Sequence, residues 1–372
     1  MKNQNFIFIT RFLAILGVIT IHCAIYTNQY SGNYLNQFNL ENVTLVSIVK
    51  IGYYGVHLFF FISGYCLSSS IFYRNEKTLK YFYIRRIFRI VPLYFIIGIF
   101  FYFIWRLFLN YYYNNDFLID YSIYNFKNLI SNIFFIHGFV ISANNNIVPG
   151  GWSIANEMFY YILFPLIISF FKKEEKILFF FKQILLLTLI LIFLNYLNYF
   201  SSENNYFSFI FKQTINPIIF FIFGIFYFNF SNFFEKNFKM FFLYSLLFFL
   251  ILFFIYIFYK NIFIRYLILI LAFFNIFLIL KITRLNKKIL PFIINYGKAS
   301  YGAYLSHFFI IELLSVFLVE KYLNFIISPK LIFFVLFFMT LFLTYIVSMI
   351  INLTLEKKFI NLGKKIINYY KN

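Results

Sequence analysis

The chain has 372 residues, a formal net charge of +20, and 63% hydrophobic against 12% charged residues, with a mean hydropathy of +0.81. That balance excludes a soluble globular domain and predicts an all-α, polytopic membrane bundle. It also argues against nucleic acid as a partner: the basic residues cluster between apolar runs and near the C-terminus, the positive-inside pattern that meets anionic headgroups.

The first membrane helix is predicted over 6–26, FIFITRFLAILGVITIHCAIY. It carries Arg11 and His22, which share one face about 16 Å apart along the axis. Such residues are costly in lipid and mark a protein interior or a wet cavity. The alternative is that Arg11 snorkels to one headgroup layer while His22 caps the other end. Arg11 breaks the apolar run and no small-residue cleavage motif follows His22, so no cleavable signal peptide is expected. Cys23 and Cys66 lie in apolar segments and predict neither a disulfide framework nor a metal site.

Lys2 and Arg11 place the N-terminus in the cytoplasm. A polar outer loop over 27–42 leads to a second helix over 44–72. It contains GVHLFFFISGYCLSSS, whose Gly55, Ser63, Gly64 and Ser68 allow close backbone approach or a polar pocket. The most basic loop, 73–90, is expected on the cytoplasmic side and holds Arg74, Lys77, Lys80, Arg85, Arg86 and Arg89. If helical, Arg85, Arg86 and Arg89 form one cationic face. Guanidinium groups suit phosphate, though the run also serves as a plain positive-inside anchor.

A third helix over 91–109 opens near Pro92, at a first-turn position where proline costs little. The apolar piece beginning at Leu129 is too short to cross, and a crossing there would place KKEEK outside. The stretch 129–151 is therefore expected to be re-entrant or interfacial. Further crossings are predicted over 152–171, 177–200, 207–230, 238–259, 262–280, 291–319 and 331–355. This gives ten crossings with both termini in the cytoplasm. The chain divides into one transmembrane domain, 1–355, and a basic cytoplasmic tail, 356–372; no internal repeat is visible.

WSIANE, Trp152 to Glu157, opens its helix. Ser153 can cap it, with Glu157 as a favourable first-turn acid. Yet Glu157 lies inside the apolar boundary, and a partly buried carboxylate wants a partner. His22 is expected at the same side of the membrane. A carboxylate that receives an imidazole N–H fixes the tautomer and raises basicity, so that the histidine can take a proton from a hydroxyl. In SYGAYLSH, Ser300, Tyr304 and His307 share a face, and His307 belongs either to a hydrogen-bonded framework or to a substrate pocket. His57, His137, Arg106 and Glu312 receive no role. No metal-ligand spacing, nucleophile elbow or phosphate-binding glycine loop occurs.

In this order the motifs resemble the acyltransferase 3 family of membrane acyltransferases: Arg11 and His22, GVHLFFFISGY, Arg86 and Arg89, WSIANEMFYYILFP and SYGAYLSH. Ile154 stands where leucine is common. The resemblance implies transfer of an acyl group, usually acetyl, from cytoplasmic acyl-CoA (acetyl-CoA) to a hydroxyl of a surface carbohydrate or lipid-linked glycan. The setting it implies is a bacterial plasma or inner membrane. It casts Arg11 and His22 as an essential pair, Glu157 as the acid of the tryptophan–serine motif, and Arg86 and Arg89 as donor-side arginines; from the residues themselves Arg85 is expected to join the donor-binding cations, and Ser63, Trp152, Ser153, Tyr304 and His307 to line the substrate pocket. Acyl-CoA enters as a substrate, with no resident cofactor. Some relatives carry a fused esterase-like domain; here any such partner is expected to be a separate protein. The competing reading is a transporter or flippase that uses the intramembrane Arg, His and Glu as a substrate or proton path.

Overall fold

The computed structural model describes residues 4–30, 51–74, 79–100, 125–145, 147–171, 177–201, 205–259, 262–283, 291–320 and 328–371. Among them every regular element is helical, and nine helices are long and apolar enough to cross a membrane. The crossing expected over 91–109 is described only to Phe100, so its outer half lies outside the described residues.

The first helix, α1 (Asn5–Tyr30), packs against α2 (Gly55–Arg74), α11 (Pro291–Lys298), α12 (Ser300–Leu314) and α13 (Pro329–Ile351). It is the central post of the bundle. Small residues set the spacing. A Cβ on Gly17 would stand 3.1 Å from Gly52 O. The tightest crossing is α2 on α8 (Ile218–Lys236), where a Cβ on Gly64 would collide with Phe221 O and one on Gly224 with Phe61 O. Lipid tails are as apolar as the helix faces, so close backbone approach rather than a hydrophobic drive holds such a pair. At the periphery, α6 (Ile177–Ser201) and α9 (Phe238–Tyr259) turn Leu185, Ile192, Leu243, Leu250 and Phe254 outward; α9 leans chiefly on α10 (Ile262–Thr283).

Three expectations need correction. The arginine-rich segment expected as a loop is helical: α3 runs Leu79–Ile99, and Pro92 sits in its interior rather than its first turn. The sequence hides this because the buried stripe Phe82, Arg86, Ile90 and Leu93 includes a charge. Second, the helix over 207–230 is broken into α7 (Asn205–Ile210), a π turn at Phe211–Ile215, and α8. Pro217 removes a donor and disfavours helix at Asn216. The carbonyls freed there are met by other side chains: Asn156 Nδ2 donates to Gln213 O at 2.7 Å and Tyr160 OH to Thr214 O at 2.7 Å.

Third, the span over 291–319 is divided at Ala299, where α11 ends and α12 begins; a Cβ on Gly297 would collide with Phe8 O of α1. The C-terminal segment is a helix, α14 (Lys357–Tyr369), joined to α13 by a π turn at Asn352–Glu356. It buries Gly363 and Ile367 and packs along α3, with Gly363 against Phe88 and Tyr81 OH donating to Tyr370 O at 3.1 Å.

The stretch over 129–151 overlaps α4 (Phe126–Ile133) and contains two 3-10 turns, His137–Phe139 and Ile141–Ala143, none of them long enough to cross. Near its end Gly150 lies in the left-handed region at φ 73°, and α5 (Gly151–Phe170) starts from it.

Candidate active site

Two antiparallel helices build the wall of the site. Along α3 and α5, Phe82 stacks on Phe164 with centroids 5.4 Å apart, Arg86 lies over Tyr161 at 5.8 Å, and Tyr94 stands beside Gly151. Arg89 and Glu157 face the same cavity between these levels. That cavity is lined by Arg11 of α1, Ser63 of α2, Arg89 of α3, Ser153 and Glu157 of α5, and Tyr304 of α12. Residues hundreds of positions apart in sequence thus meet in the middle of the bundle.

Glu157 anchors the cluster. Ser63 Oγ donates to its Oε1 at 2.6 Å, and Tyr161 OH donates to the same oxygen. Its charge acts on Arg11, Arg86 and Arg89. A carboxylate among three guanidiniums leaves a net positive cavity, the electrostatic setting for an anionic ligand or a developing negative charge. Arg86 is buried, and its Nε has no partner among the described residues. Arg85 lies on the same helix but does not line the cavity.

Above this level, Ser153 Oγ and Tyr304 OH lie 2.6 Å apart, and both are within hydrogen-bond distance of Gly150 O, at 3.1 and 3.0 Å. Ser153 is therefore not the helix cap expected from its sequence. Gly150 occupies that place, because a Cβ there would meet Phe308 at 2.7 Å and a left-handed backbone favours glycine. The Tyr304 ring lies 5.5 Å from that of His307, which lies 5.3 Å from that of His22. A file of polar side chains so connects the arginine helix to His22.

The expected pairing of Glu157 with His22 is not the arrangement found. The hydrogen bonds of Glu157 go to Ser63 and Tyr161, whereas the His22 ring packs on His307 and on Phe308, with centroids 5.3 and 4.3 Å away. The cause is axial position. Glu157 is six residues into α5, about 9 Å from its start, which brings it to the Arg11 level of α1 and about 16 Å from the His22 level.

Trp152 is half-buried against the core and does not line the cavity. His57 is buried on the other side of α2, with its ring against Phe220 at 4.9 Å and Tyr54 at 5.4 Å. His137 braces the stretch before α5: its Nε2 lies 3.0 Å from Gly151 O and 3.2 Å from Tyr94 OH. Glu312 is half-buried on α12, and Arg106 lies outside the described residues. Sequence reasoning missed Tyr161 and Tyr301. Tyr161 was legible as the i+4 neighbour of Glu157. Tyr301, whose OH donates to Ile90 O at 2.9 Å, lines the cavity from a position with no sequence signal.

Fold and site define a multi-pass helical membrane protein with a cationic, hydroxyl-lined cavity at its centre. A family model described as an acyltransferase domain, that of acyltransferase 3, matches residues 5–351, nearly the whole chain. The chain belongs to this family and is a membrane acyltransferase. No curated protein and no solved structure matches it.

Proposed function

We propose that this protein transfers an acyl group, acetyl in the simplest case, from cytoplasmic acyl-CoA to a hydroxyl of a surface or exported glycan, across a bacterial plasma membrane. The observation that carries the reading is the polar file from Arg86 and Arg89, past Arg11, Glu157 and Tyr304, to His22. It joins a cation-rich end suited to phosphates to a histidine suited to proton abstraction.

In this reading Arg86 and Arg89 hold the anionic end of acyl-CoA, with Arg85 at the margin. The pantetheine chain enters the cavity, where Arg11, balanced by Glu157, fixes its amide carbonyls. The thioester lies near Tyr304 and Ser153, whose hydroxyls can donate to the carbonyl oxygen as negative charge develops. His22 takes the proton from the acceptor hydroxyl. The oxygen attacks the thioester carbon, the carbon–sulfur bond breaks, and the thiolate leaves. The proton on His22 then passes to it, giving free CoA and an ester.

The test is mass spectrometry of envelope glycans from cells with the wild-type gene, with His22→Ala, and with no gene, at matched membrane protein levels. The expected result is an acetyl mark that needs the gene and disappears with His22→Ala. A mark that survives His22→Ala at full level removes His22 from the mechanism. Solute flux without release of CoA would instead support a transporter.

A further inference from the structure

We propose that His307, rather than Glu157, is the positioning residue for His22: its Nε2 receives a ring N–H from His22 and so sets which His22 nitrogen meets the acceptor hydroxyl. This rests on the reading of His22 as the base.

The argument begins with the other side of the His307 ring. Nδ1 lies 2.5 Å from Tyr304 O. A carbonyl only accepts, so Nδ1 carries the proton, and in a neutral imidazole Nε2 then holds a lone pair. That Nε2 is buried and has no partner among the described residues. His307 itself is fully buried. A buried acceptor left without a donor calls for one.

The His22 ring packs against that of His307. The centroids are 5.3 Å apart, with the planes tilted by 49°. Two imidazoles joined edge to edge by an N–H···N bond of about 2.9 Å place their centroids about 5 Å apart. The centroid spacing is of that size, and the proposed bond requires a turn of the His22 ring about its Cβ–Cγ bond. Phe308 packs on both rings, at 4.3 Å from His22 and 4.2 Å from His307, and keeps them from sliding apart. Tyr304 ties the pair to the cavity, since its carbonyl holds His307 while its hydroxyl meets Ser153 and Gly150.

The chemistry follows. With one His22 nitrogen donating to His307, the other holds the lone pair that takes the hydroxyl proton. The imidazolium formed keeps its hydrogen bond to His307 until the proton passes to the leaving thiolate. A neutral partner fixes the tautomer as a carboxylate would, without placing another charge in the membrane interior.

The chain has four histidines, so ring-labelled histidine gives a nitrogen NMR spectrum simple enough to assign in nanodiscs. The wild type and His307→Gln, whose amide oxygen replaces the Nε2 acceptor, should each show one His22 tautomer. His307→Phe, which preserves the aromatic packing, should show two. In proteoliposomes with acetyl-CoA as donor and envelope extract as acceptor, His307→Gln should retain activity within a few-fold. His307→Phe should lose about a hundredfold in kcat, the scale of general-base catalysis, with KM for acetyl-CoA unchanged. Activity in His307→Phe with loss in His307→Gln would mark a packing role and overturn the proposal, as would an unchanged His22 tautomer in His307→Phe. Failure of the wild type to transfer acetyl would count against the acyltransfer reading alone, because the tautomer measurement needs no turnover.

Discussion

Ser63 on α2 donates its hydroxyl to Glu157 on α5 across 2.6 Å, and the same carboxylate oxygen accepts from Tyr161 one turn further along α5. These bonds hold Glu157, the one acid lining the cavity among the described residues, in place against Arg11 and Arg89. Removing a donor to a charged acceptor costs about 1.5–3 kcal/mol. Ser63→Ala should therefore lower acyl transfer by about tenfold or more. Glu157→Gln should do more damage, because it removes the carboxylate whose charge acts on Arg11, Arg86 and Arg89. Both are read as turnover per unit of folded protein, with thermal stability measured in parallel.

The three arginines of α3 are not equivalent. Arg89 lines the cavity and Arg86 is buried against Tyr161, but Arg85 does not reach the cavity. For Arg86→Gln and Arg89→Gln, loss of a charge-assisted contact of about 1.5–3 kcal/mol predicts a KM for acetyl-CoA raised by about tenfold to a hundredfold. Arg85→Gln, at a residue that does not line the cavity, should raise it only about twofold, the scale of a weak ion pair. Equal effects at all three would show that the run acts as a diffuse membrane anchor.

Gly64 and Gly224 face each other's backbones across α2 and α8. Neither helix can accept a side chain there without moving apart, and overpacking costs about 1–3 kcal/mol or more. Gly224→Val should lower the melting temperature in detergent and reduce the monodisperse fraction on size exclusion. Since α2 carries Ser63, activity should fall with it. A fully stable Gly224→Val protein would mean that the two helices are not closely packed.

The helix α14 lies along α3, with Gly363 against Phe88 and Lys80 Nζ 3.4 Å from the centre of the Tyr370 ring. It braces the helix that carries Arg86 and Arg89. Gly363→Leu should displace α14, expose new protease sites after Glu356, and weaken acetyl-CoA binding while leaving the bundle folded. Limited proteolysis and donor titration read the two effects separately.

Composition and hydropathic periodicity determined the class, most of the spans, and the residues worth watching. Runs of apolar side chains long enough to cross a bilayer can be counted directly, and Arg11, His22, Glu157 and His307 stand out because each is costly in lipid. Helix breaks were less legible: Pro217 was visible, but the split at Ala299 depends on packing against Phe8 of α1. The arginine helix is illegible in the sequence because its buried face includes a charge, Arg86, whose partners lie on other helices.

Pairing inside the site was decided by tertiary structure alone. Sequence placed Glu157 and His22 toward the same side of the membrane, which suggested that they meet. Their partners depend on the axial position of α5 relative to α1, whose Arg11 lines the same cavity as Glu157. The result puts Glu157 with Ser63 and Tyr161, and His22 with His307. A one-dimensional pattern encodes which faces are buried, but the relative axial shift of two helices is fixed only when their surfaces interlock.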